Sequence, residues 1–381
     1  MKKIGIITQH RVNNWGSFLQ AYATQIFFER LPDVRCEIID YVYPNNFQSG
    51  HISPEKPTLR GLVVRLANKL HLSNIQQKAD RLETAVKKCL NLSTIYPTYN
   101  SLEAASPHYD VYVTGSDQTL NPKFTYGDTN FMFSWVKEKN PRIISFAASM
   151  PGNKFPIEYE PEYKKYLSRY SAISVRENGC VDYLRQLTGT EVCCHLDPTL
   201  LLTQDEWQDS LSGLKRYVKF PSKYILLYKI NHTFDAAPYI YELTKDLQKK
   251  TGLPVISLGS SIPKEYSVKC SNIKNAGPRD FVELFANADH VVTTSFHGTA
   301  FAINFGRRLY SVIPDNQNND NRQLNLLKLC KANNCIVTIG TPFNSIKTDY
   351  DINLCKEIIS KKKEEMRSFV LQQIHNIPGN R

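Results

Sequence analysis

Short apolar runs alternate with segments of helical periodicity along almost the whole chain. The first pair is the apolar run KIGIIT at residues 3–8 and the helical pattern FLQAYATQIFFERL at residues 18–31. Strands of a parallel sheet are buried on both faces, so they read as continuous apolar runs separated by crossover helices. This alternation predicts an α/β protein with parallel sheets covered on both faces.

The alternation falls into two series, as expected for a chain of 381 residues, which exceeds the usual size of a single core. We predict two Rossmann-like domains, an N-terminal one at residues 1–195 and a C-terminal one at residues 196–381. A basic helical insertion at about 55–92 interrupts the first series. The second series ends in a long helix at about 351–375.

Two helices of the second series carry clear boundary signals. The helical pattern at residues 236–252 ends at Gly252, a residue suited to the left-handed conformation that follows many helices. Pro278 stands where the helix of GPRDFVELFANAD begins, a position at which its missing N–H costs nothing.

Composition narrows the class of protein. The chain is 41% hydrophobic and 22% charged, as in a folded globular protein. It has no apolar run of about 18 residues, and MKKIGIITQH fits a first strand rather than a signal peptide, so a cytoplasmic location is expected. The nine cysteines are scattered without a C-x-x-C pair, which argues against a disulfide framework and predicts no metal site.

The net charge is 47 − 36 = +11, which suits an anionic partner. No nucleic-acid motif is present, and no nucleic-acid partner is expected. The segment RGLVVRLANKLHL, residues 60–72, mixes Leu, Val and Arg at helical spacing. It fits either a solvated basic helix face or a peripheral contact with the inner face of the membrane.

Ligands of parallel sheets bind beyond the carboxyl ends of the strands, so the loops at those ends hold the candidate chemistry. Neither GxGxxG nor GxxxxGK[ST] occurs, so no dinucleotide or P-loop site is predicted. The loops at the predicted carboxyl ends are 8–20, 114–122, 145–152, 174–178, 195–199, 228–233, 258–262, 294–299 and 313–322.

The stretch TTSFHGTAFAINFG places Ser295, His297, Gly298 and Thr299 between a strand and a helix. The free N–H groups and positive end of such a helix suit an anion, and a glycine lets a ligand approach the backbone closely. His297 can serve as an acid or base near neutral pH, or it can simply cap the helix.

Two further loops combine groups that suit a sugar or an acid. Asp117, Gln118 and Asn121 follow the strand of YDVYVTGSDQTLNP and suit sugar hydroxyls, although Asp117 can also cap a turn. Arg176 follows the strand of AISVRENG and offers a planar fork for a carboxylate or phosphate, or a surface pair with Glu177.

Weaker signals come from three other strand ends. Asn14 lies at the first strand–helix turn and Gln20 one turn into the helix, and Asp197–Pro198 forms a rigid turn and no more. Arg322 begins a helix after a polar loop, where its charge opposes the helix dipole and indicates an anionic partner nearby.

Six of these stretches, in this order, resemble the polysaccharide pyruvyl transferase family over residues 4–340. The resemblance implies a glycosyltransferase-B-like fold, in which two Rossmann-like domains face a cleft. It also implies transfer of pyruvate from phosphoenolpyruvate to a sugar of a capsule, exopolysaccharide or cell-wall glycan, usually as a cyclic ketal. The stretches are NNWGSFLQAYA, VTGSDQTLNP, ISFAASMP, ISVRE, HLDPTLLL and TSFHGTAFAINFG.

The resemblance carries two donor-site residues over, Arg176 from SVRE and His297 from a motif that reads Arg-Leu-His in many members. This chain has Ser295-Phe296-His297 instead, so one guanidinium is missing. Arg322 is the candidate substitute, and Lys229, Arg279 and Arg307 are further candidates.

From the resemblance we expect the N-terminal domain to bind the acceptor and the C-terminal domain to bind phosphoenolpyruvate. The acceptor is expected to be a sugar or a lipid-linked oligosaccharide, with no cofactor besides phosphoenolpyruvate as co-substrate. Two alternatives remain: a glycosyltransferase of the same fold that uses a nucleotide sugar, and a non-catalytic glycan-binding relative. The predicted residues are His297 and Asp117 for catalysis; Arg176, Arg322, Ser295, Gly298 and Thr299 for the donor; and Asn14, Gln20, Gln118 and Asn121 for the acceptor.

Overall fold

The structure is a computed structural model that describes residues 1–43, 73–150, 152–231, 234–315 and 322–375. The described residues divide into two units. Residues within 1–43, 83–201 and 360–375 form the first unit, and those within 73–82 and 202–359 form the second. The second half of the C-terminal helix therefore belongs to the first unit, which differs from a simple division at residue 195.

Parallel strands form the sheets of the first unit. A four-stranded sheet has the order β2-β1-β3-β4, and β5 pairs with β6 in a two-stranded sheet. Single bridges from Ile144 to Ala172 and from Ala148 to Val175 link the segment of β4 to that of β5. The strands are β1 Lys2–Ile7, β2 Val34–Ile38, β3 Val111–Thr114, β4 Ile143–Ser145, β5 Ile173–Val175 and β6 Val192–Cys194.

The second unit holds one six-stranded sheet in the order β12-β11-β10-β7-β8-β9, again with parallel pairs throughout. The central strands are apolar and fully buried because helices cover both faces. The strands are β7 Ile225–Tyr228, β8 Val255–Leu258, β9 Cys270–Ile273, β10 His290–Thr293, β11 Arg308–Ile313 and β12 Ile336–Thr338.

Helices connect the strands and cover the sheets. Up to residue 188 they are α1 Trp15–Glu29, α2 Asn74–Cys89, α3 Tyr99–Ala105, α4 Pro122–Thr125, α5 Glu160–Leu167 and α6 Val181–Thr188. They continue as α7 Gln204–Ser210, α8 Tyr239–Thr251, α9 Pro278–Asn287, α10 Phe296–Asn304, α11 Arg322–Leu329 and α12 Ile352–His375.

The predicted α/β class with parallel sheets and a C-terminal helix is confirmed. Gly252 ends α8 with a φ of 69°, and Pro278 is the first residue of α9, as predicted. The start of α8 was misplaced at 236, because Pro238 occupies the N-cap and the helix begins at Tyr239.

Part of the predicted basic insertion lies outside the described residues. Residues 60–72, the segment considered for a membrane contact, are among them. The described end of the insertion is the helix α2. Among the helices that the structure describes, none has the length and apolar character needed to cross a membrane.

The larger sheet of each unit reverses its strand order once. In the first unit β2 lies on one side of β1 and β3 on the other, and in the second β8 and β10 flank β7 in the same way. At such a point the connections leave in opposite directions and open a crevice beyond the carboxyl ends of the strands, the usual place for a ligand. The two loci of candidate chemistry are therefore the ends of β1 and β3 and the ends of β7 and β10.

A buried histidine ties α12 to the first unit. The His195 ring packs against Phe369 with centroids 4.8 Å apart, and His195 Nδ1 lies 2.8 Å from Ser174 Oγ. Burial lowers the pKa of His195 from 6.5 to about 4. The fold thus favours the neutral imidazole, and protonation favours unfolding.

We expect this histidine to make stability depend on pH. Its contribution is complete above about pH 6.5 and falls as the pH drops towards 4, because the unfolded chain binds the proton more readily. The free energy of unfolding should fall by about 2 kcal/mol more between pH 7.5 and pH 5 in the wild type than in His195→Asn. Urea unfolding at both pH values measures the difference, with the exposed His108→Asn as the control. Equal pH dependence in wild type and His195→Asn would contradict the prediction.

Candidate functional site

The loops after β1 and β3 are held together at the reversal point of the first sheet. Thr8 Oγ1 donates a hydrogen bond to the carbonyl oxygen of Ser116 at 3.0 Å, and Gln9 Nε2 donates to that of Gln118 at 3.4 Å. Gly115 makes this approach possible, because a Cβ there would lie 2.9 Å from Thr8 Cβ. The two loops therefore present their side chains from one fixed base.

Asp117 lies at this point in a strained backbone conformation. Its φ is +69°, and Ala147, at the end of the adjacent β4, has a φ of +50°. Positive φ in non-glycine residues costs free energy and concentrates at functional sites. Ser17 Oγ donates a 2.5 Å hydrogen bond to Asp117 Oδ2, so the first turn of α1 fixes the carboxylate.

Arg176 lies at the centre of a buried group of carboxylates. Its Nη1 lies 2.5 Å from Asp197 Oδ2, its Nε 3.3 Å from Glu177 Oε1 and its Nη2 3.5 Å from Asp117 Oδ1. Only 1% of the Arg176 side chain is exposed. The structure thus brings together two predicted site residues, Arg176 and Asp117. The alternative of a surface pair with Glu177 is wrong, because both side chains are buried.

Asp197 was interpreted from the sequence only as part of a turn, and this interpretation is wrong. Its Oδ1 accepts hydrogen bonds from Thr199 N at 2.9 Å and Thr199 Oγ1 at 2.7 Å, which caps the short 3-10 helix at 198–200. Its Oδ2 is left for Arg176. The sequence does contain a signal for the contact between Asp197 and Arg176. HLDPTLLL directly follows a strand, and so does the arginine of SVRE, so both lie at the carboxyl ends of neighbouring strands.

A second buried ion group follows β1 and β2. Arg11 donates from Nε and Nη2 to the two oxygens of Asp40 at 2.6 and 2.7 Å, and His10 Nε2 lies 3.0 Å from Asp40 Oδ1. Burial alone would raise the pKa of Asp40, but the hydrogen bonds from Arg11 and His10 prevail and hold this pKa well below its usual value. No sequence pattern singled out these residues. Because His10 has no exposed surface, the group acts as internal support.

The predicted acceptor residues mostly organise their own loops. Asn14 caps α1 by accepting from Gly16 N at 2.9 Å, and Asn121 caps α4 while its Nδ2 donates to Gln118 Oε1 at 2.7 Å. Gln20 is fully buried, and its Nε2 donates to Thr8 Oγ1 at 2.8 Å. Asn14 and Gln118 retain exposed surface at the sheet edge, whereas Gln20 has none.

In the second unit Ser295, not His297, is the cap of α10. Ser295 Oγ accepts from Gly298 N at 3.3 Å, and Ser295 N donates to Thr293 Oγ1 at 3.0 Å. Ser295 also hydrogen-bonds with the hydroxyl group of the fully buried Tyr228, whose pKa burial raises. The alternative interpretation of His297 as a helix cap is therefore wrong.

Gly298 and Thr299 serve the packing of α10. A Cβ at Gly298 would lie 2.4 Å from Thr293 Oγ1, so the close approach is made by strand β10. Thr299 Oγ1 lies 2.9 Å from Ser311 Oγ and accepts from Gln323 Nε2 at 3.2 Å. Thr299 thus anchors α11 through Gln323. Direct contacts of Gly298 and Thr299 with a donor stay a prediction.

His297 and Arg322 share Phe296 as a neighbour. The His297 and Phe296 rings lie with centroids 5.4 Å apart in an edge-on arrangement, and Arg322 Cζ lies 5.7 Å from the Phe296 centroid. The ring of Phe296 is thus a common neighbour of the predicted acid–base residue and the predicted substitute cation. Gln323, the residue after Arg322, donates to Ser311 Oγ at 2.7 Å and fixes the start of α11 beside α10.

The further candidate cations are engaged in other contacts. Lys229 Nζ lies 2.7 Å from Asp235 Oδ1 and donates to Asn231 Oδ1 at 2.6 Å. Arg279 pairs with Glu283 and donates to main-chain carbonyl groups of residues 212 and 214. Arg307 directly precedes β11 and so lies at the amino ends of the strands, away from the carboxyl ends where the candidate site residues lie. Arg322 is the candidate cation that lies over the ring of Phe296, the residue before His297.

The part of the chain that the structure describes contains no group of three or more His, Cys, Asp or Glu side chains placed to hold a metal ion. All nine cysteines are free thiols, and the buried ones include Cys36, Cys180 and Cys355.

Two parallel sheets with reversal points, each with polar groups at the carboxyl edge, define a glycosyltransferase-B-like α/β protein. The chain matches the family model of polysaccharide pyruvyl transferase over residues 14–316, which is more than half of its length. The protein therefore belongs to the polysaccharide pyruvyl transferase family, as the sequence motifs predicted. No curated protein sequence gives a significant match.

Solved structures with a similar fold are nucleotide-sugar enzymes. The UDP-GlcNAc 2-epimerase from Methanocaldococcus jannaschii is 12% identical, with coverage of 97% of this chain and 99% of that chain and a TM-score of 0.54. The S. aureus MnaA–UDP structure is 12% identical over 100% and 99% of the two chains, with a TM-score of 0.52. The UDP-N-acetylglucosamine 2-epimerase from Rickettsia bellii is 13% identical over 99% and 98%, with a TM-score of 0.50. At these identities the likeness concerns the fold.

The packing of Gly298 gives a test of this region. We expect Gly298→Ala to lower the free energy of unfolding by about 1–3 kcal/mol, because the new methyl group collides with Thr293 and Tyr228. In an open helix position the same change would be stabilising by up to about 1 kcal/mol. Chemical denaturation measures the effect. Gly213→Ala is the control, because a Cβ there meets no atom within 4 Å. A Gly298→Ala variant as stable as Gly213→Ala would contradict the packing explanation for the glycine.

Proposed function

We propose that this protein transfers a pyruvyl group from phosphoenolpyruvate to two hydroxyls of a sugar and forms a cyclic ketal. The acceptor is a sugar or lipid-linked oligosaccharide of a capsular, exopolysaccharide or cell-wall glycan. The observation that carries the proposal is that the Phe296 ring contacts both the His297 ring and the Arg322 guanidinium in a member of this family. An acid–base group and a cation are what an anionic enol phosphate requires.

The reaction needs two proton transfers. Protonation of the methylene carbon makes C2 electrophilic, and a first sugar hydroxyl adds there and gives up its proton. A neighbouring hydroxyl then bonds to C2 and also loses its proton, while the C2–O bond to phosphate breaks. The two hydroxyls together lose two protons. One of these makes up for the proton added to the methylene carbon, which becomes a methyl group, and the other is carried away by the phosphate. His297 is proposed to move one of these protons, and Asp117 to orient or deprotonate the acceptor hydroxyl.

The charges around the two residues support this division of roles. Arg322 is proposed to bind an anionic group of the donor, with the start of α10 at Ser295, Gly298 and Thr299 forming the adjacent wall. The Asp117 carboxyl group lies between Ser17 Oγ and the Arg176 guanidinium, at a sheet edge that also carries the partly exposed amides of Asn14 and Gln118. We infer that this edge suits a neutral sugar. Asn14, Gln118 and Asn121 are proposed as further acceptor contacts. A peripheral contact with the inner face of the membrane fits a lipid-linked acceptor.

The activity can be tested with the purified full chain, phosphoenolpyruvate and galactose- or mannose-type glycosides. We expect phosphate release that depends on the acceptor and a pyruvylated product detected by mass spectrometry. His297→Asn should lower kcat by about 10²–10⁴-fold, because it removes the transferable proton and nearly keeps the shape. His108→Asn, which changes an exposed histidine, is the control. A fully active His297→Asn would exclude the acid–base role and leave the reaction open.

Donor binding tests Arg322 separately. We expect Arg322→Gln to raise the Kd for phosphoenolpyruvate at least tenfold, since one cation paired with an anion contributes more than about 1.4 kcal/mol in a shielded site. Arg308→Gln makes the same charge change at the start of β11 and should leave the Kd unchanged. Isothermal titration calorimetry measures both. Equal Kd values for the two variants would refute the role of Arg322.

The same titration separates the competing functions. Binding of a UDP- or GDP-sugar without binding of phosphoenolpyruvate would instead support a nucleotide-sugar transferase. Binding of a glycan alone would support a non-catalytic relative.

A further inference from the structure

Two large apolar side chains are exposed on the connections that follow β3 and β4. Tyr126 follows α4 and is 66% exposed, and Ile157 precedes α5 and is 84% exposed. The two connections touch beside these residues, because a Cβ at Gly127 would lie 2.7 Å from Tyr159 Cε1. A single exposed apolar residue needs no explanation, but two of them on touching connections indicate a surface that binds a ligand.

The main chain holds Tyr126 in a costly conformation. Its φ is +55°, in the left-handed region that suits a glycine at the end of a helix, and Gly127 follows with a φ of +71°. A tyrosine is strained there, and strained residues concentrate at functional sites. A glycine at 126 would end α4 at a lower cost, so the turn alone does not explain an aromatic ring at this position.

Hydrogen bonds on both sides fix the main chain that carries the ring. Thr125 N donates to the carbonyl oxygen of Asn121 at 3.0 Å, and Asp128 N donates to that of Thr125 at 3.0 Å. Asp128 Oδ2 also accepts a 2.5 Å hydrogen bond from the hydroxyl group of Tyr41. Tyr41 follows β2, so this bond keeps the segment at the carboxyl edge of the sheet. The position of Tyr126 is thus set by the fold before a ligand binds.

The short helix α4 links Tyr126 to the proposed acceptor contacts. Asn121 is the N-cap of α4 and Tyr126 is its C-cap. Asn121 Nδ2 donates to Gln118 Oε1 at 2.7 Å, so the two amides form one group. A helix rises about 1.5 Å per residue, which places the two caps about 7–8 Å apart along its axis. Tyr126 therefore lies beyond the sugar that the amides contact, where the next residue of a glycan would lie.

The size and polarity of this surface favour a sugar over a protein or a membrane. A stable protein interface buries about 800 Å² per partner, far more than two side chains provide. Lys123 and Glu158, close in sequence to the two apolar residues, are exposed and opposite in charge, which does not attract an anionic membrane. A sugar ring has a face of C–H groups and a rim of hydroxyls, which match an aromatic ring in polar surroundings.

We propose that Tyr126 stacks against the second sugar residue of the acceptor, next to the sugar that receives pyruvate. The acceptor is accordingly a glycan of at least two residues and not a free monosaccharide. This inference rests on the proposed function, in which Gln118 and Asn121 contact the first sugar.

Acceptor kinetics with phosphoenolpyruvate test this role in the full chain. The acceptors are galactose- or mannose-type glycosides and the disaccharide glycosides that end in the same sugar. We expect the wild type to have a KM at least about fivefold lower for the disaccharide, since one aromatic contact contributes about that factor. In Tyr126→Ala the two KM values should agree within about twofold, whereas Tyr126→Phe keeps the ring and should keep the difference.

The control is Tyr217→Ala, which removes an exposed tyrosine from the second unit and should keep the wild-type ratio of the KM values. Equal KM values in the wild type would overturn the proposal, and so would a ratio that survives in Tyr126→Ala. Loss of the ratio in Tyr126→Phe as well would assign the effect to the hydroxyl group and overturn stacking.

Glycan binding without phosphoenolpyruvate separates this inference from the proposed function. Tyr126→Trp adds an exposed indole to a chain whose three tryptophans, Trp15, Trp135 and Trp207, are buried. Titration with the disaccharide glycoside should shift the fluorescence emission of the added indole to shorter wavelength, and Tyr217→Trp should show no shift. An unmoved emission in Tyr126→Trp would overturn the stacking role, whatever the activity. A shifted emission in a protein that forms no pyruvylated product would support glycan binding at Tyr126 and overturn the proposed function.

Discussion

Parallel strands cannot be joined by tight hairpins, so each connection crosses the sheet and all strands of one sheet end at the same edge. This constraint determines where chemistry can occur in both units. Side chains that follow β1, β3, β5 and β6 meet in the first unit, and those that follow β7 and β10 meet in the second. Where the strand order reverses, the loops diverge and polar side chains can be reached without opening the apolar core.

The polar groups at the first of these edges have an energetic cost. A buried ion pair rarely stabilises a fold more than apolar packing would, yet loss of one partner costs about 3–5 kcal/mol. The positive φ angles of Asp117 and Ala147 add about 1–3 kcal/mol each. Burial of four charged side chains beside two strained residues is therefore not explained by stability. Under the proposed function the physical gain is preorganisation, because a carboxylate held from both sides loses little entropy when the acceptor hydroxyl binds.

The sequence could predict features that depend on neighbours along the chain. The strand pattern, Gly252 after α8 and Pro278 at the start of α9 all follow from local geometry. The sequence could not predict contacts between residues that lie far apart in the chain. Ser17 binds Asp117 across 100 residues, and Asp197 binds Arg176 across 21. Periodicity shows which loops share an edge but not which side chains meet there.

Gln20 shows how an available signal was missed. Its position one turn into α1 suggested a ligand contact, but the apolar residues of WGSFLQAYATQIFFE surround the helix on all sides. A helix without a polar face is buried, and a polar side chain on it must bind within the protein. Thr8 and Ser17 supply the partners of Gln20.

Ser295 illustrates how one position can combine structural and chemical demands. An arginine has donors but no acceptor, so at 295 it could not accept the hydrogen bond from Gly298 N that caps α10. A serine cap contributes about 1 kcal/mol, and Tyr228 would lose its hydroxyl partner as well. Under the proposed function, the cation for the donor therefore comes from a neighbouring element. Gln323 fixes the start of α11 on Thr299 and Ser311, which holds Arg322 beside Phe296. The helix cap and the proposed donor cation are thus two residues on two helices, and Thr299 helps to hold the second helix through Gln323.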